Sequence, residues 1–127
     1  MTRRVSGESP YEARYGFCRA RRDGNRILVA GTGPVAAGGG TEPGDAAAQT
    51  RRCFAIARQA IEQLGGTLAD VVRTRMYITD SADADAIGAV HGELFGAHPP
   101  VATMVVVAAL VDPDWRIEIE VEALLVS

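Results

Sequence analysis

Cysteine, long apolar runs and an excess of positive charge are all scarce in this sequence. Only two of its 127 residues are cysteines, Cys18 and Cys53. Neither lies in a Cys-x-x-Cys or Cys/His pattern of metal ligands. We therefore expect two reduced thiols, no metal and no cofactor.

The scarcity of apolar runs and of basic clusters restricts the partners. The longest apolar run, Val101–Val111, is too short for a helix that crosses a bilayer. The first residues also lack the apolar stretch of a secretory signal, so we expect a cytoplasmic protein with no membrane partner. The 13 basic residues are dispersed among 16 acidic ones, and no nucleic acid partner is expected. The arginines of Met1–Arg4 and Arg19–Arg22 are interpreted as solvated ends or hairpin edges; the alternative is a binding patch.

The overall composition is that of a globular domain. Hydrophobic residues make up 47% of the chain and charged residues 23%, a balance that excludes disorder. Folding at this length hides roughly two-thirds of the surface of the unfolded chain, which is enough for one core. We predict a single domain over residues 1–127.

Turn residues and helical spacing organise the first half of the chain. Gly16–Gly31 is predicted to be a β-hairpin, because Asp23-Gly24-Asn25 supplies the positive φ angles of a tight turn. Gly31–Gly44 contains six glycines and two prolines and is predicted to be a surface loop. Asp45–Leu64 has apolar residues at spacings of three and four, which predicts an amphipathic helix capped by its first residue.

The second half alternates strands with one helix. Val71–Thr79 and Arg116–Val126 show the two-residue period of strands with different faces, and Val72 is assigned to the apolar face. Ser81–Phe95 is a second amphipathic helix. Val101–Leu110 is apolar at nearly every position, which is typical of a strand covered on both faces. The predicted fold is α+β, with the order β-β-α-β-α-β-β and two helices on one face of a five-stranded mixed sheet.

The apolar strand Val101–Leu110 also implies that something covers the sheet face away from the helices. Another copy of the chain is the economical cover, although the residues alone do not choose a dimer over a trimer. Two polar rows belong to that face, and they either pair across strands or subunits or form a solvated surface. The rows are Glu118, Glu120 and Glu122, and Arg73, Arg75 and Tyr77.

Four segments carry a resemblance to a known family. They are the strand Gly24-Asn25-Arg26-Ile27-Leu28-Val29-Ala30-Gly31, the Gly-Gly-Thr-Leu-Ala-Asp-Val-Val segment after the first helix, the Tyr-Ile-Thr-Asp strand end and the closing Ile-Glu-Ile-Glu strand. Together they resemble the YjgF/Rid (reactive intermediate deaminase) family over nearly the whole chain. The resemblance implies a chorismate-mutase-like, RidA-like fold, a homotrimer with helices outside, and clefts between subunits that bind a small-molecule ligand.

The resemblance is weakest where the family binds its substrate. RidA proteins hold a substrate carboxylate with an arginine early in the strand after the second helix, a role that suits its planar fork. Ala102 stands at that position in this sequence. Phe17 replaces the cleft tyrosine of the family, Met104 replaces its cysteine, and Gly88 replaces the asparagine of the second helix. The implied cleft is therefore more apolar and less suited to anions.

Five further residues are candidates for the site. Gly31 and Glu118 match the family, which implies a backbone donor and a glutamate that positions water; the alternative for Glu118 is an ion pair. Thr103 keeps a hydroxyl in the altered segment. Arg75 either supplies the missing cation or pairs with the glutamate row. His91 is either an acid or base or a hydrogen-bonded helix residue.

These residues support two hypotheses of function. The first is a hydrolase of imines, enamines or related C–N compounds that is not a RidA-type 2-aminoacrylate deaminase. The second is a non-catalytic trimer that binds a small metabolite in the same clefts. The older family name, endoribonuclease, gains no support, because the sequence shows no basic stripe or stacking platform for RNA.

Overall fold

A computed structural model describes residues 2–126, so the first and last residues of the predicted domain lie outside the described residues. Six strands form one sheet: β1 Thr2–Val5, β2 Ala20–Asp23, β3 Arg26–Thr32, β4 Val71–Ile78, β5 Val101–Val106 and β6 Ile117–Leu124. Their order is β1-β2-β3-β6-β4-β5. β4 and β5 run parallel, and the other neighbouring pairs are antiparallel.

Three α-helices accompany the sheet: α1 Tyr11–Tyr15, α2 Ala46–Gln63 and α3 Ala84–Phe95. α2 begins as predicted, because the Asp45 side chain accepts a hydrogen bond from the Ala48 N–H at 3.0 Å. Gly65 follows its last turn with a φ of +93°. Short 3₁₀ turns precede β4 and α3.

The core lies between the sheet and the two long helices. β6 contributes Ile117, Ile119 and Val121, which are almost fully buried, and α2 contributes Phe54 and Ile61. The strict alternation of β6 therefore directs one face to the helices and leaves its glutamates on the open face. The predicted α+β fold, with both long helices on one face of a mixed sheet, is confirmed.

Two elements at the start of the chain were not predicted. β1 consists of Thr-Arg-Arg-Val and has no apolar alternation; it forms by pairing with β2, where the Thr2 hydroxyl donates to Asp23 at 2.8 Å. α1 is a helix of five residues, too short for a periodic signal. The sheet therefore has six strands, and the five-stranded prediction was wrong.

Two details of β4 and β5 also differ from prediction. A register shift between Val71 and Arg73 buries Val71 and leaves Val72 43% exposed, so Val72 does not belong to the apolar face. β5 ends at Val106 and forms an edge of the sheet. Its residues are mostly exposed within the chain, so the two-sided cover expected for Val101–Leu110 is not supplied by the chain itself.

Candidate functional site

A cavity of about 200 Å³ lies on the open side of the sheet, beside the start of β6. We call it the Glu118 cavity. Its polar side chains include Glu118 and Arg19, and Gly31 and Gly33 contribute backbone from the end of β3 and the loop that follows. Four aromatic side chains complete most of the wall, and they come from two separate parts of the sequence. They are Tyr11, Tyr15, Phe17 and Trp115.

Glu118 is the half-buried carboxylate of this cavity. It lies directly against Gly31, where an added Cβ would overlap Oε2 of the carboxylate. Among residues 2–126, no hydrogen bond or ion pair reaches the side-chain carboxylate of Glu118. Burial raises the pKa of Glu118, the charge of Arg19 opposes that rise, and the charge of Glu120 adds to it. The cavity thus holds a carboxylate that remains available to a ligand or to water.

Arg19 is buried beside this carboxylate, and the prediction that it is solvated was wrong. Its Nη1 donates to the Gly31 carbonyl at 2.9 Å and to the Thr32 hydroxyl at 3.1 Å. Glu12 faces it, with 3.6 Å between Nε of Arg19 and Oε2 of Glu12. The Gly7 N–H in turn donates a hydrogen bond of 3.0 Å to the Glu12 carboxylate. Arg19 therefore fixes the peptide backbone on which Glu118 lies.

Trp115 forms the wall at the other side of Glu118. Its ring lies flat on Gly33, where an added Cβ would be 2.5 Å from three ring atoms. Trp115 is 7% exposed, and Tyr11 meets it edge to face at a centroid distance of 6.3 Å. The ring of Trp115 leaves no room for a side chain at Gly33, whereas an added Cβ at Gly31 would have to displace the flexible end of the Glu118 side chain.

The other glutamates of β6 are paired along the strand. The Tyr77 hydroxyl donates a short hydrogen bond to Glu120. Glu122 lies 3.5 Å from Arg75 and 3.9 Å from Arg73, measured between Oε1 and the nearest guanidinium nitrogens. The two polar rows therefore pair across strands, and Arg75 is engaged with Glu122 instead of lining the Glu118 cavity.

The candidates on β5 are not brought to the Glu118 cavity within the chain. Ala102 and Met104 pair with Thr74 and Met76, which face the helices, and Met104 packs against the core. Thr103 pairs with Arg75 on the open face. β4 separates all three from β6.

His91 lies on the opposite side of the sheet from Glu118. Its Nε2 is 2.8 Å from the Thr74 hydroxyl, and its ring packs against Phe54 and Phe95. Burial lowers the pKa of His91, which favours the neutral ring. These contacts are those of a hydrogen-bonded helix residue. Of the predicted site residues, the structure brings together Phe17, Gly31 and Glu118.

Sequence reasoning missed Arg19 and three of the four aromatic residues of the wall, all except Phe17. Trp115 carried the best available signal, since it is the single tryptophan of the chain and stands three residues before Glu118. Tyr11 and Tyr15 lie on α1, which carried no periodic signal. Among residues 2–126, the structure shows no group of three or more His, Cys, Asp or Glu side chains that would hold a metal.

A family model matches most of the chain. The model described as Endoribonuclease L-PSP matches residues 7–125. The chain therefore belongs to this family, the YjgF/Rid family. Within the described residues, no helix is both long and apolar enough to span a membrane.

Three similar proteins illustrate the family. The Streptomyces coelicolor protein SCO2049 is 40% identical over 121 residues, which are 95% of this chain and 90% of that protein. The crystal structure of Rv2704 from Mycobacterium tuberculosis, a member of the YjgF/YER057c/UK114 family, superposes with a TM-score of 0.89 at 41% identity and covers 98% of this chain and all of that one. The 3-aminoacrylate deaminase RutC of Acinetobacter baylyi is 41% identical over 76 residues, 60% of each chain.

Proposed function

We propose that the chain works in the cytoplasm as a homotrimer of single domains spanning residues 1–127, whose interface clefts bind a small molecule, and that it hydrolyses an imine, an enamine or a related C–N compound. The observation that carries this proposal is the half-buried Glu118 carboxylate, which opens into a cavity and has no partner among residues 2–126. A half-buried carboxylate that opens into a cavity and has its pKa raised by burial is a candidate for chemistry.

The proposed reaction uses Glu118 as both base and acid. The carboxylate accepts a proton from water as the water oxygen attacks the carbon of the protonated imine, which gives a neutral carbinolamine. The same proton then passes from Glu118 to the nitrogen, the C–N bond breaks, and the hydroxyl proton returns to the Glu118 carboxylate as the carbonyl forms. The products are a carbonyl compound and ammonia or an amine. A carboxyl whose pKa is raised by burial suits this two-way transfer.

Support for the trimer comes from β5. Val101, Val105 and Val106 are 60%, 42% and 56% exposed within one chain, on an edge strand that shows the apolar composition of a covered one. A cover supplied by neighbouring copies would also bring Ala102, Thr103 and Met104 of one subunit toward a cleft of another. Sedimentation equilibrium at micromolar concentration tests the assembly: we expect a trimer, and a monomeric mass overturns the interface cleft.

Two imines test the reaction. One is generated by an amine oxidase and carries no carboxylate; the other is 2-aminoacrylate, generated by a dehydratase. We expect ammonia release from the first to be accelerated and to be lost in Glu118→Gln. Little acceleration of the second is expected, because Ala102 offers no charge to its carboxylate. Acceleration of 2-aminoacrylate release comparable to that of an arginine-bearing RidA protein would overturn the proposal.

A related substrate chemistry is known among the relatives. The RutC relative is named as a 3-aminoacrylate deaminase, and its match to this chain supports hydrolysis of a C–N compound. The substrate named for RutC carries a carboxylate, however. In this chain the family resemblance places Ala102, which has no charge, at the position of the arginine that would bind such a carboxylate. Ala102→Arg is therefore the informative gain-of-function variant, and it should raise the rate with 2-aminoacrylate more than the rate with the carboxylate-free imine.

The loss of charge at Ala102 also favours the second candidate function, a non-catalytic trimer that binds a small metabolite. In that case a ligand raises the apparent stability of the protein in a thermal-shift assay. Neither imine is then hydrolysed faster than in buffer. If the assembled trimer binds a ligand but hydrolyses neither imine, the result supports the non-catalytic binding function.

A further inference from the structure

We propose that the Glu118 cavity selects a small organic cation, an ammonium or a protonated imine without a carboxylate, which the aromatic rings enclose and Glu118 neutralises. This inference deepens the proposed function and rests on it, because the cavity is the same one. It names the chemical class of the ligand.

The concentration of aromatic rings is the first argument. Four of the seven aromatic residues of the chain line this one cavity of about 200 Å³. Tyr11 and Tyr15 are stacked at a centroid distance of 5.5 Å, and Trp115 meets Tyr11 edge on. Tyr15 and Phe17 are 62% and 38% exposed, so these rings do not serve mainly to fill the core. The faces of such rings attract positive charge.

The rings already contact cations of the chain itself. The guanidinium carbon of Arg14 lies 5.8 Å from the Tyr11 centroid and 5.4 Å from that of Tyr15. Arg19 lies 5.5 Å from the Phe17 centroid. Each ring has two faces, and these contacts place a cation at cation–π distance from three of the four rings.

Part of the Arg19 guanidinium is already engaged within the chain. Nη1 of Arg19 donates its two hydrogen bonds to the Gly31 carbonyl and the Thr32 hydroxyl, and Nε is buried without a hydrogen-bond partner among residues 2–126. Glu12 lies 3.6 Å from Arg19 and offsets its charge. Among residues 2–126 the Glu118 carboxylate forms no side-chain hydrogen bond or ion pair, and Arg19 acts on it only through its charge at longer range.

The position of Glu118 determines which ligand stabilises it. A carboxylate ligand in this cavity would lie beside a second carboxylate in a partly dry site, where like charges repel more than in water. A cation supplies the missing partner and gains from the ring faces at the same time. A neutral ligand gains the apolar contact alone.

The single tryptophan makes this selectivity measurable in the intact protein. Trp115 lines the cavity, so its fluorescence reports binding there. Butylammonium, butanol and butyrate form a matched set of cationic, neutral and anionic probes. We expect butylammonium to bind at least about tenfold more tightly than either of the others.

Variants separate the carboxylate from the rings. Glu118→Gln is expected to weaken butylammonium binding by about tenfold and to leave butanol unchanged. Phe17→Leu keeps apolar volume but removes a ring face, and we expect a loss of a few-fold for the cation alone. Glu62→Gln is the control, because it removes the same charge from the exposed surface of α2, where Glu62 pairs with Arg58.

The outcomes distinguish the two proposals. Preferential binding of butyrate or butanol overturns the cation inference and keeps the cavity as a ligand site. Cation binding that is equal in Glu118→Gln and Glu62→Gln also overturns it. If no probe changes Trp115 fluorescence in a protein shown to be trimeric, the cation inference fails, and the cavity loses its place in the proposed function as well.

Discussion

The glutamates at the two ends of the row on β6 differ in whether their carboxylates have a side-chain partner, a difference that the alternating sequence does not indicate. Glu120 and Glu122 accept contacts from Tyr77, Arg75 and Arg73, whereas Glu118 has no such partner among residues 2–126. All three glutamates are on the same face of one strand, and all are half-buried. Strand parity alone therefore does not decide which carboxylate is free.

The difference arises from the direction in which the β4 side chains lean. Tyr77 lies opposite Glu118 in register, yet its hydroxyl reaches Glu120. Arg75 lies opposite Glu120, yet it reaches Glu122. Each side chain is displaced by one pair along the neighbouring strand, a diagonal contact that long side chains allow. The shift leaves the first glutamate without a cross-strand partner and available to the cavity.

Among the substitutions that test the difference between Glu118 and the two paired glutamates, Gly31→Ala is expected to have the largest effect. The new Cβ would overlap the Glu118 carboxylate and displace it from its position in the cavity. The contacts of Glu120 and Glu122 would be unaffected. Because the displaced atoms are the end of a flexible side chain, we expect little change in the free energy of unfolding but loss of the ligand response. Denaturant unfolding and Trp115 fluorescence measure the two effects.

Gly88→Ala is the matched control for that substitution. Gly88 lies within α3, and an added Cβ there meets nothing within 4 Å. The change should stabilise the helix by roughly 0.5–1 kcal/mol. Equal effects of the two substitutions would contradict the close approach of Glu118 to Gly31.

A smaller effect is expected at the paired end. Tyr77→Phe removes the donor to Glu120, and we expect it to cost roughly 0.5–1.5 kcal/mol of stability. Tyr15→Phe is its control, because the exposed Tyr15 hydroxyl makes no hydrogen bond among residues 2–126. Thermal unfolding of both variants checks the difference, and a neutral Tyr77→Phe would show that the Glu120 contact contributes nothing.

The smallest effects should have opposite signs. Glu122→Gln is expected to destabilise by roughly 0.2–1 kcal/mol through its partly exposed ion pairs. Glu118→Gln is expected to stabilise at neutral pH by on the order of 0.5 kcal/mol, since it removes a desolvated and unpaired charge.

The pH dependence of Glu118→Gln follows from the direction of the shift. Because burial raises the pKa of Glu118 in the folded state, the folded protein binds this proton more tightly than the unfolded chain does. The contribution of Glu118 to the stability of the wild type therefore falls as pH rises from the ordinary value of 4.5 through the folded value. The gain from the variant should disappear below about pH 4.5. A gain that persists there would contradict an origin in the charge.

The sequence predicts the strongly periodic elements and fails on the weakly periodic ones. α2 and β6 have long apolar patterns that bury one face, so their type and position followed directly. β1 is polar and depends on its neighbour, and the bulge at Val72 is not visible in an alternating pattern. The family resemblance identified Glu118, Gly31 and Phe17. The direction of the Tyr77 side chain, toward Glu120 and away from Glu118, depends on the folded structure and could not be predicted from the sequence.

The strand order also has a consequence for synthesis. β6 lies between β3 and β4 in the sheet, although it follows all the other strands in sequence. A chain still on the ribosome without β6 therefore has two half-sheets whose inner edges are unpaired and open to other chains. Contacts between β6 and β3 span about 90 residues of sequence, a separation typical of slow folding. β6, the strand that carries the glutamate row, is thus also the strand that joins the two halves of the sheet. Chaperones should bind mainly to nascent chains whose β6 has not yet left the ribosome.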